Sequence, residues 1–243
     1  MSDPKVILIC QCSERGLIDL TQFSDLCSAH QSLMNDQLLV VPDLCRAAME
    51  HDPLLERIAS GESPVIYACH PRAVKALFEF AGHPLPATTE FINLRMQSPG
   101  TPGQPVRANG QSPAWFPVID ESRCTRCGQC FEFCLFGVYE KDVDGRVRVT
   151  QPQCCKNNCP ACARICPETA IIFPKVGESP INGAEVSDDE ERKANIKINV
   201  DEILGDDVYA ALNARKQKRL SLLNQKKVEK ALAERRECSG DKV

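Results

Sequence analysis

The sequence lacks the features typical of secreted, membrane-spanning and nucleic-acid-binding proteins. Its start, MSDPKVILIC, has no basic segment, long apolar run or small-residue cleavage site, so we expect no secretory signal. No stretch approaches the roughly 18 to 20 apolar residues that span a bilayer, so we expect no membrane span. Aromatic residues make up 5% of the chain and the formal net charge is -4, which argues against a nucleic-acid surface over the whole protein.

Enzyme motifs are missing as well. The sequence contains no P-loop, Ser/His/Asp triad or pair of catalytic carboxylates, so a stand-alone enzyme is not expected. We expect the four histidines to be structural, although His70 lies beside Cys69, where it could tune or bind a metal site.

Cysteine, in contrast, is abundant. The chain has 15 cysteines, and this odd number in a chain without a secretory signal argues against a disulfide framework. In a reducing cytosol, clustered thiols persist as metal-bound thiolates more often than as disulfides. We therefore predict a soluble, cytoplasmic, metal-binding protein.

Short apolar runs and helix-like segments alternate over residues 1–96. The runs are too short for buried helices and are rich in β-branched residues, which is typical of strands. This alternation predicts an α/β domain with a small parallel sheet. The predicted strands are Val6 to Ile9, Leu38 to Val41 and Pro64 to Ala68, and the predicted helices are Asp19 to Leu33, Ala47 to Ala59 and Pro71 to Phe80.

Three further regions follow this domain. Residues 97–113 are dense in proline, glycine and polar residues, which predicts a linker. Residues 114–178 hold most of the remaining cysteines, and residues 179–243 are predicted to form an acidic spacer and a helical tail. The tail is rich in lysine and arginine, and we favour a solvated helix there over a docking site for an acidic partner or an anionic surface.

The first cysteine run is Cys124-Thr-Arg-Cys127-Gly-Gln-Cys130-Phe-Glu-Phe-Cys134. Three cysteines in steps of three let a short loop wrap three corners of an iron–sulfur cube, while a following helical turn directs the fourth thiolate elsewhere. A tetrahedral zinc site usually takes two separate CxxC pairs, so a third cysteine in the run would have no role in it. The spacing therefore favours iron and sulfide over zinc.

A second run, Cys154-Cys155-Lys-Asn-Asn-Cys159-Pro-Ala-Cys162-Ala-Arg-Ile-Cys166-Pro167, follows within the same region. Together the two runs resemble the bacterial two-cluster ferredoxins over about 60 residues. The resemblance implies an α+β ferredoxin-like domain with two [4Fe-4S] clusters, in which the fourth cysteine of each run binds the cluster of the other run. By position, one cluster takes Cys124, Cys127, Cys130 and Cys166, and the other takes Cys134, Cys159, Cys162 and either Cys154 or Cys155.

The two runs depart from the family pattern. Leu135 stands where a proline is usual, and the step to Cys159 is longer than in the family whether it is counted from Cys154 or Cys155. We favour Cys155 because its shorter loop is nearer the usual geometry, and Cys154 is then either buried or able to substitute for it.

Five cysteines lie in the N-terminal region. Cys10, Cys45 and Cys69 each stand at or just after the end of a predicted strand, and such ends share one edge of a parallel sheet. Cys27 stands in mid-helix among apolar residues and is expected to belong to the core.

The same region resembles the N-terminal domain of the flavin-carrying subunit of heterodisulfide reductases. The matching pieces are Ile9-Cys10-Gln11-Cys12, Asp43-Leu44-Cys45, Ala68-Cys69-His70-Pro71-Arg72 and Phe91-Ile92-Asn93-Leu94-Arg95. The resemblance implies a third iron–sulfur cluster held by Cys10, Cys12, Cys45 and Cys69. Gln11 replaces a histidine and no GxGxxG motif is present, so the flavin and the reductase chemistry are not expected here. Two alternatives remain open: buried core thiols, or a redox-active pair at Cys10 and Cys12.

These observations predict an iron–sulfur electron carrier or an electron-transferring subunit of a redox complex. Its partner would be a redox protein of the dehydrogenase, reductase or hydrogenase type. The alternative is a structural or regulatory iron–sulfur protein that senses oxygen or iron and binds a protein partner.

Overall fold

A computed structural model of the chain describes residues 5–19, 25–28, 37–97, 112–186 and 225–239. Its largest sheet has four strands: β1 (Val6–Cys10), β2 (Gln37–Val41), β3 (Val65–Ala68) and β4 (Glu90–Asn93). All neighbouring strands are parallel, in the order β2-β1-β3-β4. The parallel sheet and its helices agree with the predicted α/β class. β4 was not predicted, because Glu90 and the partly buried Phe91 and Ile92 give a short strand without a buried apolar run.

Besides the helical residues 25–28, the described part of this region has the helices α1 (Leu44–Met49), α2 (Leu54–Ala59), α3 (Pro71–Phe80) and α4 (Leu94–Gln97). The helix predicted over residues 71–80 is present with the same bounds, and Pro71 occupies its first turn, where a missing N–H costs nothing. The helix predicted over residues 47–59 is instead two helices. The chain turns at His51, whose φ is 51°, and the Asp52 carboxylate then accepts a hydrogen bond from Leu54 N–H at 2.9 Å.

Smaller elements follow in the cysteine-rich region. They comprise two strand pairs, two short α-helices and one 3₁₀ turn. These are β5 (Val118–Ile119) paired antiparallel with β8 (Ile171–Ile172), β6 (Tyr139–Lys141) paired antiparallel with β7 (Val147–Val149), α5 (Gln129–Phe133), α6 (Ala161–Arg164) and the 3₁₀ turn Pro152–Cys154.

The largest hydrophobic core contains residues from both sides of the predicted linker. Ala114, Phe116, Val118 and Ile172 are buried in the same core as α3 and the parallel sheet. The rings of Phe80 and Phe116 lie 5.0 Å apart. The cysteine-rich region is therefore packed directly against α3. Of the predicted linker, residues 98–111 lie outside the described residues.

Polar contacts join the same two regions. Arg72, on the first turn of α3, donates to the Asp120 carboxylate at 2.8 Å and to the Thr169 carbonyl at 2.8 Å. Gly183 lies so close to α3 that an added Cβ would stand 2.5 Å from the Cβ of Ala73, which excludes larger residues there. The loop after β8 is thus fixed against the N-terminal helices.

The C-terminal region is described as one helix, α7 (Gln225–Ser239). Of the predicted helix 19–33, residues 25–28 are helical, residue 19 is not, and the rest lies outside the described residues. The acidic spacer at residues 187–191 and the predicted tail helix before residue 225 also lie outside them. Within the described ranges, none of the helices combines the length and the apolar character that crossing a bilayer demands.

Candidate metal centres

The first set of cysteines consists of Cys124, Cys127, Cys130 and Cys166. The first three lie on the loop between β5 and α5 and on the first turn of α5, and Cys166 follows α6. Burial raises the pKa of the Cys130 thiol, and neighbouring charge on Cys166, Cys127 and Cys124 raises it further. The chain therefore brings all four thiols of this set together.

Backbone amides point at the sulfur of Cys166. Ala170 N–H donates to its Sγ at 3.3 Å. Burial raises the pKa of the Cys166 thiol, and hydrogen bonds from the backbone N–H groups of Ala170, Ile171 and Glu168 work against that rise. Such donors stabilise negative charge on a metal-bound thiolate.

The second set consists of Cys134, Cys155, Cys159 and Cys162. All four line one pocket whose empty volume, including space open to solvent, is about 370 Å³. Phe133, Leu135, Phe136 and Val138 supply apolar walls for the same pocket. Cys154 is exposed and is not among the lining residues, so Cys155 is the member of the pair that lies with the other three thiols.

Tyr139 supplies a side-chain donor to this second set. Its hydroxyl donates to Cys162 Sγ at 3.1 Å, and both groups are buried. Burial raises the pKa of the Cys162 thiol, charge on Cys155 adds to the rise, and the Tyr139 hydrogen bond opposes it. Sequence patterns do not predict this contact, because the tyrosine is 23 residues away from the cysteine along the chain.

A third set lies at the carboxyl edge of the parallel sheet. Cys10 ends β1, Cys12 follows it with a φ of 49°, Cys45 lies on the first turn of α1, and Cys69 follows β3. Burial raises the pKa of the Cys69 thiol to about 12, and Cys12 contributes to that shift. Leu44 N–H donates to Cys10 Sγ at 3.3 Å. Parallel strands end at one edge, and this topology brings the thiols together.

Cys27 does not join the third set. It packs with Ile7 and Ile9, whereas Cys10 belongs to the core that contains Leu8. Since alternate residues of a strand point to opposite faces, Cys27 lies on the other face of the sheet.

Two cations accompany the third set: Lys175, which is buried, and Arg95, which is half-buried. Lys175, which follows β8, binds Asp43 Oδ1 at 2.9 Å and Glu14 Oε2 at 2.5 Å. Arg95, on α4, donates to the carbonyls of Pro174 and Val176, and it interacts with the charges of Cys69, Cys12 and Cys45. We had not predicted either cation from the sequence. For Lys175 a signal did exist, because it is a lone charge in the apolar run IIFPKV.

His70 is buried beside the third set. Its Nδ1 lies 3.0 Å from Asn93 Nδ2, at the end of β4. Burial, followed by the positive charges of Arg95 and Arg72, lowers the pKa of His70 to about 4. The imidazole is therefore neutral near pH 7.

The donors in all three sets are sulfur atoms, which suit soft metal centres. Within the described residues, no group of three or more His, Cys, Asp and Glu side chains is arranged to hold a single metal ion. A cubane cluster presents a separate iron atom to each thiolate, so its ligands stand wider apart than those around one ion. Thiols that are buried or half-buried, with N–H and O–H donors and apolar walls beside them, fit such a cluster.

Comparison with known families gives an independent view of the first cysteine run. Residues 116–139 match the family described as a 4Fe-4S binding domain. The matched stretch contains β5, α5 and all four cysteines from Cys124 to Cys134. No solved structure matches the chain.

Three proteins of Methanocaldococcus jannaschii are similar to part of the chain. An uncharacterised ferredoxin is 47% identical over 62 residues, 25% of this chain and 42% of the relative. A second uncharacterised ferredoxin is 33% identical over 61 residues, 24% of this chain and 78% of the relative. The pyruvate synthase subunit PorD is 31% identical over 55 residues, 23% of this chain and 62% of the subunit.

The matches differ in how much of each relative they cover. The chain spans less than half the length of the first ferredoxin, at 42%, but most of the second, at 78%. On this similarity and on its matched 4Fe-4S binding domain, the chain belongs to the ferredoxin family and has a site for at least one [4Fe-4S] cluster.

Proposed function

We propose that the chain transfers single electrons through two [4Fe-4S] clusters and works as a carrier or as an electron-transferring subunit of a redox complex. The observation that carries the proposal is where the last cysteine of each run lies. Cys134, from the first run, lines the pocket of the second set, and charge on Cys166, from the second run, raises the pKa of the Cys130 thiol in the first set. This crossing is the ligand pattern of two-cluster ferredoxins.

The ligand assignment follows the two sets. One cluster is held by Cys124, Cys127, Cys130 and Cys166, and the other by Cys134, Cys155, Cys159 and Cys162. When bound, each cluster would accept and release one electron. The protein's own groups bias that exchange, because Ala170 N–H and the Tyr139 hydroxyl donate to ligand sulfurs and so favour the more negative, reduced state.

A third cluster at Cys10, Cys12, Cys45 and Cys69 is part of the same proposal, as the resemblance to heterodisulfide reductases implies. The convergence of the thiols supports it, as do the cations Lys175 and Arg95 beside them. Burial raises the pKa values of all four thiols, so without a metal they would stay protonated as core residues. The alternatives to a third cluster are therefore buried core thiols, or a redox-active pair at Cys10 and Cys12.

The kind of partner is proposed from one of the similar proteins. A subunit of pyruvate synthase is among the proteins similar to this chain, which favours a redox enzyme complex as the setting of the cysteine-rich region. Co-purification under anaerobic conditions, with identification of the bound protein, tests this point. Recovery of the chain alone would favour a free carrier.

Anaerobic purification followed by iron and sulfide analysis tests the clusters themselves. We expect at least about eight iron atoms and eight sulfides per chain, and an EPR signal of reduced [4Fe-4S] clusters after dithionite treatment. Zinc in place of iron, or clusters that cannot be reduced and reoxidised without unfolding, would contradict the electron-transfer role. The second result would favour a structural or sensing function.

A further inference from the structure

The C-terminal helix α7 packs against the elements that carry the second cysteine set. Ala231, on α7, is fully buried and forms a small core with Phe133 of α5, Ala161 of α6 and Ile165. Cys159 is partly buried against the same core. The helix is therefore part of the surroundings of the second set and is not a separate appendage.

Ion pairs hold α7 in this position. The buried Arg164 guanidinium of α6 binds Glu234 of α7 at 3.0 Å and Glu178 at 2.7 Å. Lys230 of α7 binds the same Glu178 at 3.0 Å. A guanidinium that is 6% exposed and pairs with two carboxylates fixes both partners more firmly than an exposed ion pair does.

Arg235 is the residue of α7 that reaches the pocket itself. It lines the pocket together with Cys134, Cys155, Cys159 and Cys162. Its Nε donates to the Phe133 carbonyl at 3.2 Å, and its guanidinium carbon lies 5.2 Å from the centre of the Phe133 ring. These two contacts hold a permanent positive charge against Phe133, in the pocket that Cys134 also lines.

We propose that Arg235, presented by α7, is the charge partner of the cluster held by Cys134, Cys155, Cys159 and Cys162 and raises the reduction potential of that cluster alone. The inference rests on the proposed function, since it requires a cluster at this set. Reduction adds one negative charge, and a cation held in a partly desolvated pocket stabilises the reduced state more than the oxidised state. The other set lies outside this pocket, so it should not respond.

A charge effect at Arg235 is supported by its electrostatic surroundings. Burial lowers the pKa of Arg235, while charge on Cys134 raises it. The guanidinium nonetheless remains protonated at every accessible pH, because arginine does not lose its proton in proteins. Its effect on a nearby cluster is therefore constant in sign.

The test uses Arg235→Gln in the full chain, with Arg236→Gln as the matched control. Arg236 is the next residue on the same helix, is exposed and does not line the pocket, so the control removes the same net charge. Redox titration followed by EPR should show the ratio of reduced to oxidised cluster falling about tenfold for one cluster in Arg235→Gln at fixed potential, which is about 59 mV for one electron. Arg236→Gln should leave both clusters unchanged.

A second variant identifies the responding cluster. Tyr139→Phe removes the hydroxyl that donates to Cys162. The cluster whose reduction potential changes in this variant is therefore the cluster of the second set. The cluster moved by Arg235→Gln should be the cluster moved by Tyr139→Phe. The inference is overturned if the other cluster moves, if neither moves, or if Arg236→Gln has an equal effect.

Arg235→Lys covers the case in which Arg235→Gln loses iron because α7 detaches. Lysine keeps the positive charge, so the ratio of reduced to oxidised cluster in this variant should stay within about twofold of the wild-type value at fixed potential. A tenfold loss in this variant would assign the effect to the shape of arginine and overturn the charge role. If the wild-type chain itself binds no cluster at this set, the proposed function fails first, and iron analysis distinguishes the two results.

Discussion

Lys175 Nζ lies 2.9 Å from Asp43 Oδ1, and this ion pair joins the segment after β8 to the turn between β2 and α1. The two side chains are 2% and 4% exposed. Glu14, 6% exposed, binds the same ammonium at 2.5 Å, so one buried cation holds two carboxylates from the N-terminal region. The cysteine-rich region therefore contributes a charge on which the edge of the parallel sheet depends.

Replacing Lys175 by methionine should destabilise the protein strongly. The substitution keeps an apolar stem but leaves two buried carboxylates without their cation, which costs about 3 to 5 kcal/mol when a buried pair is broken. Urea unfolding under anaerobic conditions measures the loss. Lys75→Met is the control, because Lys75 is exposed and contacts only the Phe91 ring among the contacts described, so its removal should cost about 1 kcal/mol or less. Equal losses in the two variants would contradict the role of the buried pair.

Cys155 and Cys154 offer a neighbouring pair for testing the second ligand set. Cys155→Ser should prevent stable binding of one cluster and lower the iron content by about four atoms per chain, whether or not the third set holds a cluster. Cys154→Ser should leave it unchanged, because Cys154 is exposed and outside the pocket. Iron analysis after anaerobic purification distinguishes them. If Cys154→Ser is the variant that loses iron, the assignment is reversed.

The third set can be tested against the buried-core interpretation by iron content. With a cluster at this set, wild-type protein should contain about twelve iron atoms per chain, and Cys45→Ser should remove about four of them. Cys27→Ser serves as the control, because Cys27 lies on the other face of the sheet. A wild-type content of about eight that Cys45→Ser does not change would leave these thiols as core residues or as a redox pair.

Local sequence patterns predicted the parts of the fold that depend on neighbours in the chain. The first three strands and helix α3 follow from apolar periodicity and from Pro71, which starts a helix well. β4 could not be predicted in this way, because Phe91 and Ile92 are only partly buried and the strand is specified by pairing with β3. The break at His51 depends on one left-handed residue and one side-chain hydrogen bond, which composition does not reveal.

The candidate sites likewise contain parts that the sequence predicted and parts that depend on contacts between distant residues. The resemblance to two-cluster ferredoxins, carried by the cysteine spacing, implied that Cys134 and Cys166 exchange places between the runs. Lys175, Arg95 and Arg235 were not predicted, since each reaches its thiols from a distant part of the chain. Long-range contacts between charged side chains leave no periodic signal in the sequence, and only the packing of β8, α4 and α7 brings them to the sulfur atoms.

The hydroxyl of Tyr139 should set part of the reduction potential of the second cluster. It donates to Cys162 Sγ at 3.1 Å inside the protein, and a donor to a ligand sulfur stabilises the reduced cluster more than the oxidised one. Tyr139→Phe keeps the ring and removes the donor, so we expect the ratio of reduced to oxidised cluster at fixed potential to fall about fivefold, the equivalent of about 1 kcal/mol for one hydrogen bond. Tyr67→Phe makes the same chemical change on β3, where the ring packs with Ile7 and Ile9, and should change the reduction potential of neither cluster.

Iron content must stay equal in both variants, because a loss of iron would mean that the tyrosine supports the pocket by packing. Identical potentials in Tyr139→Phe and the wild type would show that the hydroxyl bonds the sulfur without favouring either redox state.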